Sequence, residues 1–147
     1  MSLKERLLED MKVAMRDKDV IKKNTVQMAR SAVLQVEKDS RITLDDDGIL
    51  DVIVKEVKKR RDSLPEFEKS GRQELIDNLK TEIEVLMQYL PKQLTEEELE
   101  VIVRQAVQDT GASSAKDMGR IMQEVMPKVK GRADGRMINQ IVKKILG

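Results

Sequence analysis

Apolar residues recur three and four positions apart along almost all of this 147-residue chain. That spacing places them on one face of a helix and leaves the charged positions on the other face. No alternating apolar pattern of the kind that predicts a strand competes with it, so the chain is predicted to be all-α. Four stripes occupy the first ninety positions: Leu3, Leu7, Met11, Ala14 and Met15; Thr25, Met28, Ala29, Ala32, Val33 and Val36; Leu50, Ile53, Val54 and Val57; Leu75, Leu79, Ile83, Leu86, Met87 and Leu90.

Three shorter stripes follow Pro91, and the segment from 90 to 94 reads as a hinge. We therefore predict a four-helix N-terminal domain at 1–90 and a three-helix C-terminal domain at 92–147. The C-terminal stripes are Leu99, Ile102, Val103, Ala106 and Val107; Met118, Ile121, Met122 and Val125; Ile138, Ile141, Val142 and Ile145.

Short polar residues and glycines divide these stripes into separate helices. Gly71 and Gly111 are predicted to end helices, Pro65 to kink or end the third helix near Leu64, and Pro127 to terminate the sixth. N-caps are predicted at Asp19, in the run Asp45-Asp46-Asp47, and at Thr95, Ser114 and Asp134.

Composition excludes several classes of chemistry. The chain has no His, Cys or Trp, so zinc sites, thiolate nucleophiles and disulfides are not expected. The run Asp45-Asp46-Asp47-Gly48 resembles half of a calcium loop, but Val54 stands where that loop requires a glutamate. Helix capping is therefore the favoured interpretation of the run, and no catalytic residue, metal or cofactor is predicted.

The N-terminus contains acids and has no apolar segment of the kind found in secretory signals. No apolar run approaches the length of about 18 residues that a membrane-spanning helix needs. The chain is therefore expected to be cytoplasmic, without a membrane partner.

Positive charge is concentrated near the C-terminus. Between Lys128 and Lys144 there are six basic residues and one acid, Asp134, and the glycines Gly131 and Gly135 stand just before the last helix. Glycine allows a ligand to approach the backbone closely, and a helix N-terminus attracts anions. This segment suits a polyanion, but it is equally consistent with a capping turn followed by lysines that favour the helix C-terminus.

If the polyanion is RNA, the scarcity of aromatic residues limits the kind of RNA that this basic segment could bind. Phe67 and Tyr89 are the only two, and neither lies in the basic segment. Because reading of single-stranded bases usually needs aromatic stacking, any RNA contact is expected to involve the phosphates and shape of folded RNA. A second basic cluster, Lys55, Lys58 and Lys59, is interpreted first as a solvated helix face and second as an additional RNA contact.

Three segments resemble a known family: LPKQLTEEEL from Leu90, GASSAKDMGR from Gly111 and MPKVKGRADG from Met126. These segments are similar to the YqeY family, and the resemblance extends over essentially the whole chain. The C-terminal third resembles the tail domain of the B subunit of the tRNA-dependent glutamyl/aspartyl amidotransferase, which contacts tRNA. By position, the resemblance implies the following RNA-binding residues: Lys128, Lys130, Gly131, Arg132, Gly135, Arg136 and Lys143.

The resemblance also limits what activity to expect. The chain lacks the cradle domain of the B subunit and the amidase subunit, so a carbon–nitrogen ligase activity with glutamine as donor would require a partner. The leading hypothesis is a non-catalytic module that binds tRNA or similar structured RNA. A protein-interaction adaptor that docks onto an enzyme complex is one alternative, and the ligase activity, implied only by family association, is the other.

Overall fold

The computed structural model describes all residues from 1 to 147 and contains α-helices, a short 3₁₀ turn at Ala115–Asp117 and no strand. The all-α prediction is confirmed. None of the helices combines the length and hydrophobicity needed to cross a bilayer. In chain order the helices are α1 (Leu3–Arg16), α2 (Val20–Ser40), α3 (Asp46–Ser70), α4 (Gln73–Met87), α5 (Glu96–Thr110), α6 (Met118–Val129) and α7 (Gly135–Leu146).

The N-caps predicted at Asp19, at the aspartate run, at Thr95 and at Asp134 are confirmed by their hydrogen bonds, whereas Ser114 caps the 3₁₀ turn Ala115–Asp117 and not α6. Asp45 Oδ1 accepts from the Gly48 amide at 2.8 Å, and Thr95 Oγ1 accepts from the Glu98 amide at 3.1 Å. Asp19, Ser114 and Asp134 likewise accept from amides two or three residues ahead. Each bond satisfies an amide that the first turn of a helix leaves without a partner. The aspartate run before α3 therefore acts in helix capping.

Of the two outcomes predicted at Pro65, a kink or an end near Leu64, the second is wrong, because α3 continues to Ser70 and stops at Gly71, whose φ is +70°. Pro65 is exposed, so water can solvate the carbonyl one turn earlier that proline leaves without a donor. The termination assigned to Pro127 is also wrong by two residues, since α6 ends at Val129.

Two compact units form the chain, Met1–Leu90 and Pro91–Gly147, and each has its own apolar core. In the first unit α2 packs against α1, α3 and α4. In the second unit α5 packs against both α6 and α7. Fully buried side chains from every helix of the second unit meet in its core: Leu99, Val103, Ile121, Val125, Ile138 and Val142.

Two of the predicted stripes are rotated relative to the observed cores. In α3, Ile49 and Val52 are buried, whereas Leu50 and Val54 are only half-buried. In α2 the buried residues are Thr25, Val26, Ala29 and Val33, so Met28 and Val36 are exposed although the spacing predicted them to be core. An exposed apolar residue follows the same spacing as a buried one, so periodicity alone cannot set the edge of a stripe.

A carboxylate joins the start of α1 to the end of α2 and the following loop. Lys4 Nζ donates to the Glu37 oxygens at 2.9 and 2.7 Å, and the Leu44 amide donates to Glu37 Oε2 at 2.8 Å. The lysine hydrogen bond, followed by the amide bond, lowers the pKa of Glu37 below its ordinary value. The ionised carboxylate is therefore the form that the fold favours.

Replacing Glu37 with glutamine is expected to reduce the acid sensitivity of the first unit. A carboxyl group with a lowered pKa in the folded state adds stability above its unfolded pKa of about 4.3, and this stability is lost as the pH falls through the folded pKa. The native chain should therefore unfold at a higher urea concentration than Glu37→Gln at neutral pH, and this difference in urea midpoint should disappear in acid. Glu66→Gln, at an exposed position, is the control and should show no such closure. A gap independent of pH would contradict this assignment.

Candidate nucleic-acid interface

The loop between α6 and α7 is held by hydrogen bonds from one side chain and one main-chain amide of the segment that precedes α5. The Gly131 carbonyl accepts from Gln93 Nε2 at 2.8 Å, and the Arg132 carbonyl accepts from the Leu94 amide at 2.8 Å. Gly131 is buried with φ at +72°, in the left-handed region that favours glycine. These bonds fix the position from which α7 starts.

The basic residues of this loop and of the helix ends that flank it take part in interactions within the unit. Lys128 Nζ lies 3.5 Å from a carboxylate oxygen of Glu124, and Arg132 Nε donates to the Lys92 carbonyl at 3.5 Å. Lys130 and Arg136 also have polar or electrostatic partners. Lys128 and Arg136 are exposed, whereas Lys130 and Arg132 are half-buried. A surface ion pair such as Lys128–Glu124 has a small net stability, so such a cation can exchange its partner for a phosphate.

The helix α7 presents one face to the core and a second, basic face to solvent. Ile138, Ile141 and Val142 are buried, and the helix contains no acidic residue. Its exposed positions after the first residue are spaced three and four apart, so they share one side of the helix. Four of these five exposed residues we call the α7 face, Arg136, Asn139, Gln140 and Lys143, and the fifth, Lys144, lies at its edge.

Two carboxylates lie beside the α7 face, and the first is that of Asp134, which accepts from the Arg136 amide at 3.0 Å. Glu100 on α5 lies 3.9 Å from Lys144 Nζ, but it already binds the Arg104 guanidinium at 2.7 Å. The Arg104 hydrogen bond and then the charge of Lys144 lower the pKa of Glu100. Because Glu100 is engaged by Arg104, it compensates little of the positive charge on Arg136 and Lys143.

Gly135, the first residue of α7, has open space around it. A methyl group at this position would meet no atom within 4 Å, and the residue is exposed. The fold itself therefore does not exclude a side chain here. The available room lies beside the N-terminus of α7, where the Asp134 carboxylate already accepts from the Arg136 amide at 3.0 Å.

The second basic cluster lies on α3, in the other unit. Lys55, Lys58 and Lys59 are all exposed, with Lys58 Nζ 3.1 Å from Asp62 and Lys59 Nζ 3.2 Å from Glu56. Two of these three charges thus have carboxylate partners.

No group of three or more acidic side chains lies close enough together to hold a metal ion.

Sequence reasoning identified Arg136 and Lys143 on α7 but did not include Asn139 or Gln140 among the candidate residues. The signal was available, because an exposed amide between two exposed cations on one face of a helix can donate to a phosphate or a ribose hydroxyl. A count of charges alone does not detect it.

Comparison with known proteins gives a match to the Yqey-like protein family over residues 4–146. A protein of Pyrenophora tritici-repentis named "Altered inheritance of mitochondria protein 41, mitochondrial" is 28% identical over 147 residues, which cover 97% of this chain and 80% of that protein. The protein of the same name from Kluyveromyces lactis is 36% identical over 84 residues, which cover 56% of this chain and 45% of the relative. An uncharacterised Schizosaccharomyces pombe protein is 31% identical over 90 residues, 61% of this chain and 70% of its own length.

These comparisons overturn the expected cytoplasmic location, because the relatives from Pyrenophora and Kluyveromyces are named as mitochondrial proteins. The expectation rested on the lack of a secretory segment and of a long apolar run. Neither feature identifies the compartment in which a chain resides.

Proposed function

We propose that this chain, which belongs to the Yqey-like protein family as its motifs predicted, binds structured RNA through the α7 face. The observation that carries the proposal is the composition of that face. Arg136, Asn139, Gln140 and Lys143 are all exposed, on a helix without a single carboxylate. In a chain with 27 acidic residues, an uninterrupted surface of donors suits an anionic ligand.

The spacing along α7 fits a phosphate backbone. Arg136 and Lys143 lie two turns apart, about 10 Å along the helix axis. The amides of Asn139 and Gln140 stand between them, where they can donate to phosphate oxygens or accept from ribose hydroxyls. The arrangement favours contacts along a strand of sugar-phosphate over the recognition of one isolated anion.

The lack of aromatic residues in the second unit favours folded RNA. Phe67 and Tyr89 both belong to the first unit, so residues 91–147 offer no ring on which an unpaired base could stack. Single-stranded RNA would lose the contribution that such stacking makes to its affinity. Transfer RNA, with its base-paired stems, is the class of ligand that we propose.

The α6–α7 loop would extend the contact beyond α7. We propose that Lys128 and Lys130 approach phosphates, that Gly135 allows the backbone to come close, and that Gly131 and Arg132 keep the loop in place. The support for this division is the different exposure of these residues, together with the bonds of Gly131 and Arg132 to the segment before α5. Lys55, Lys58 and Lys59 remain a proposed secondary contact.

The double variant Arg136→Ala/Lys143→Ala is expected to bind tRNA at least about tenfold more weakly and to reduce the slope of log affinity against log salt by about two. Both side chains are exposed, so the fold should be retained. The measurement is filter binding or fluorescence anisotropy across a salt series. The matched control, Lys69→Ala/Lys80→Ala, removes the same charge from exposed positions of the first unit. Equal losses in the two variants, or an affinity insensitive to salt, would reject the proposal.

A further inference from the structure

The exposed surface of α2 is uncharged over more than three turns. From position 24 to position 36, no exposed residue of this helix carries a charge, although 37% of the chain is charged. Depletion of charge is the compositional mark of the central part of a protein–protein interface. We call these exposed residues the α2 face: Asn24, Gln27, Met28, Ser31, Leu34, Gln35 and Val36.

Large apolar side chains stand on this face without a covering element. Met28 is 53% exposed and Leu34 is 44% exposed. Val20, at the start of the same helix, is exposed as well. Methionine adapts its shape to a partner and is enriched at binding surfaces. The face therefore has the chemistry of a surface that loses water on association.

Depressions border the α2 face on both sides. Towards α3 a shallow, open groove of about 500 Å³ is lined by Met28, by the uncharged polar residues Asn24, Gln27 and Ser31, and by Glu56. Towards α1 a smaller hollow of about 200 Å³ has Leu7 and Val33 beneath it and Leu34 beside it. Such hollows on the flanks of a helix can receive apolar side chains from a docked segment.

The charge around the α2 face is positive. From Val20 to Val36, α2 contains Lys22, Lys23 and Arg30 but no acid, and none of these cations forms a salt bridge. The carboxylate within the groove, Glu56, already lies within salt-bridge distance of Lys59 and Arg60. A partner that brings carboxylates to this rim would gain complementary charge.

We propose that the α2 face docks an acidic, amphipathic segment of a partner protein. Its apolar side chains would enter the two depressions, and its carboxylates would meet Lys23 and Arg30. An RNA partner would leave Met28 and Leu34 facing phosphate, which makes RNA a poor fit here. A second copy of the chain fits poorly too, because it would bring the same cations towards each other. The site lies on the first unit and does not include the α7 face, although Glu56 in its groove pairs with Lys59 of the proposed secondary RNA contact.

The first part of the test is site-specific photocrosslinking in the cells that naturally make the chain. A benzophenone amino acid is placed at position 28 or 34 and, as a control of similar exposure, at position 75, where the native Leu75 is 38% exposed. We expect adducts from both α2 positions, at greater yield than from the control, that resist ribonuclease. The crosslinked peptide, identified by mass spectrometry, should be acidic with apolar residues at helical spacing.

The second part uses a synthetic copy of that crosslinked peptide and the purified full chain. Lys23→Glu/Arg30→Glu should weaken its binding about tenfold, since like charges then face each other. Lys69→Glu/Lys80→Glu makes the same change of charge elsewhere on the first unit and should leave the affinity unchanged. Circular dichroism verifies that both variants keep their helical content. The proposal would be overturned by adducts that ribonuclease destroys, by adducts to a second copy of the chain, or by a yield no higher than that of the control position. It would also be overturned by a crosslinked peptide that is basic, or by one whose affinity does not change in Lys23→Glu/Arg30→Glu.

Discussion

Replacing Arg60 with alanine is expected to lower the free energy of unfolding of the first unit by about 3 kcal/mol or more. Arg60 is only 7% exposed, yet its charge is compensated on two sides. Its Nε lies 3.2 Å from Glu82 Oε1, and its Nη1 donates to the Glu56 carbonyl at 3.0 Å and lies 3.9 Å from Glu56 Oε1. These contacts connect α3 to α4.

The expected loss comes mainly from the carboxylate that the variant leaves behind. Glu56 is buried, and without Arg60 its remaining cation is the exposed Lys59 at 3.2 Å. When a buried charge loses its partner, its desolvation cost is no longer offset by the attraction between the two charges. Glu82 is partly exposed and can be hydrated, which places the expected loss at the lower end of the range for buried ion pairs.

Urea denaturation of Arg60→Ala provides the measurement, and two variants sharpen it. Arg104→Ala breaks an exposed pair with Glu100 and should have a much smaller effect. The double variant Glu56→Met/Arg60→Met removes both buried charges and should recover most of the loss, because apolar side chains can replace a buried pair at little cost. A stability of Arg60→Ala within about 1 kcal/mol of the native value would contradict this account.

Replacing Ile138 with alanine is expected to destabilise the second unit by about 2–5 kcal/mol. Ile138 is fully buried in the core to which α5, α6 and α7 all contribute. Its truncation removes buried methyl groups and leaves a cavity in a core of ten buried side chains. Because Ile138 lies on the side of α7 opposite Arg136 and Lys143, its loss should also weaken RNA binding by releasing the helix.

Hydrogen exchange read separately over 1–90 and 91–147 tests this expectation. Protection should fall in the second unit, since each unit has its own core. Ile138→Val should cost about 0.5–1.5 kcal/mol, and Val101→Ala, at an exposed position of α5, about 0.5 kcal/mol or less. Unchanged protection in Ile138→Ala would show that α7 contributes less to the core than its burial implies.

Local signals predicted the helices well because they act within four residues. Asp45, Thr95 and Asp134 each cap a helix through an amide two or three positions ahead, and Gly71 ends α3 in a left-handed conformation. The error at Pro65 has a local reason too. A proline can remain within a helix where water replaces the lost hydrogen bond, and that depends on an exposure which the sequence does not state.

The candidate sites were less predictable, because residues distant in sequence determine whether the charges of these sites are compensated. The segment from Lys128 to Lys144 is basic on inspection, but Arg132 contacts the Lys92 carbonyl, forty positions earlier, and Lys144 approaches Glu100 on another helix. The α2 face was not visible in the sequence either. Met28 and Val36 follow the periodicity of core residues, and only the packing around α2 shows that they are exposed.

The amino-acid sequence by itself determined the helical class, most helix boundaries, the family and the concentration of basic residues near the C-terminus. Spacing, caps and motifs are read within short stretches of chain, so these properties needed no knowledge of distant contacts. Only the tertiary structure decided which cations are compensated, that Glu56 and Arg60 are buried together, and which side of α2 meets solvent. Those outcomes depend on the desolvation and pairing of groups that come together only when the helices pack.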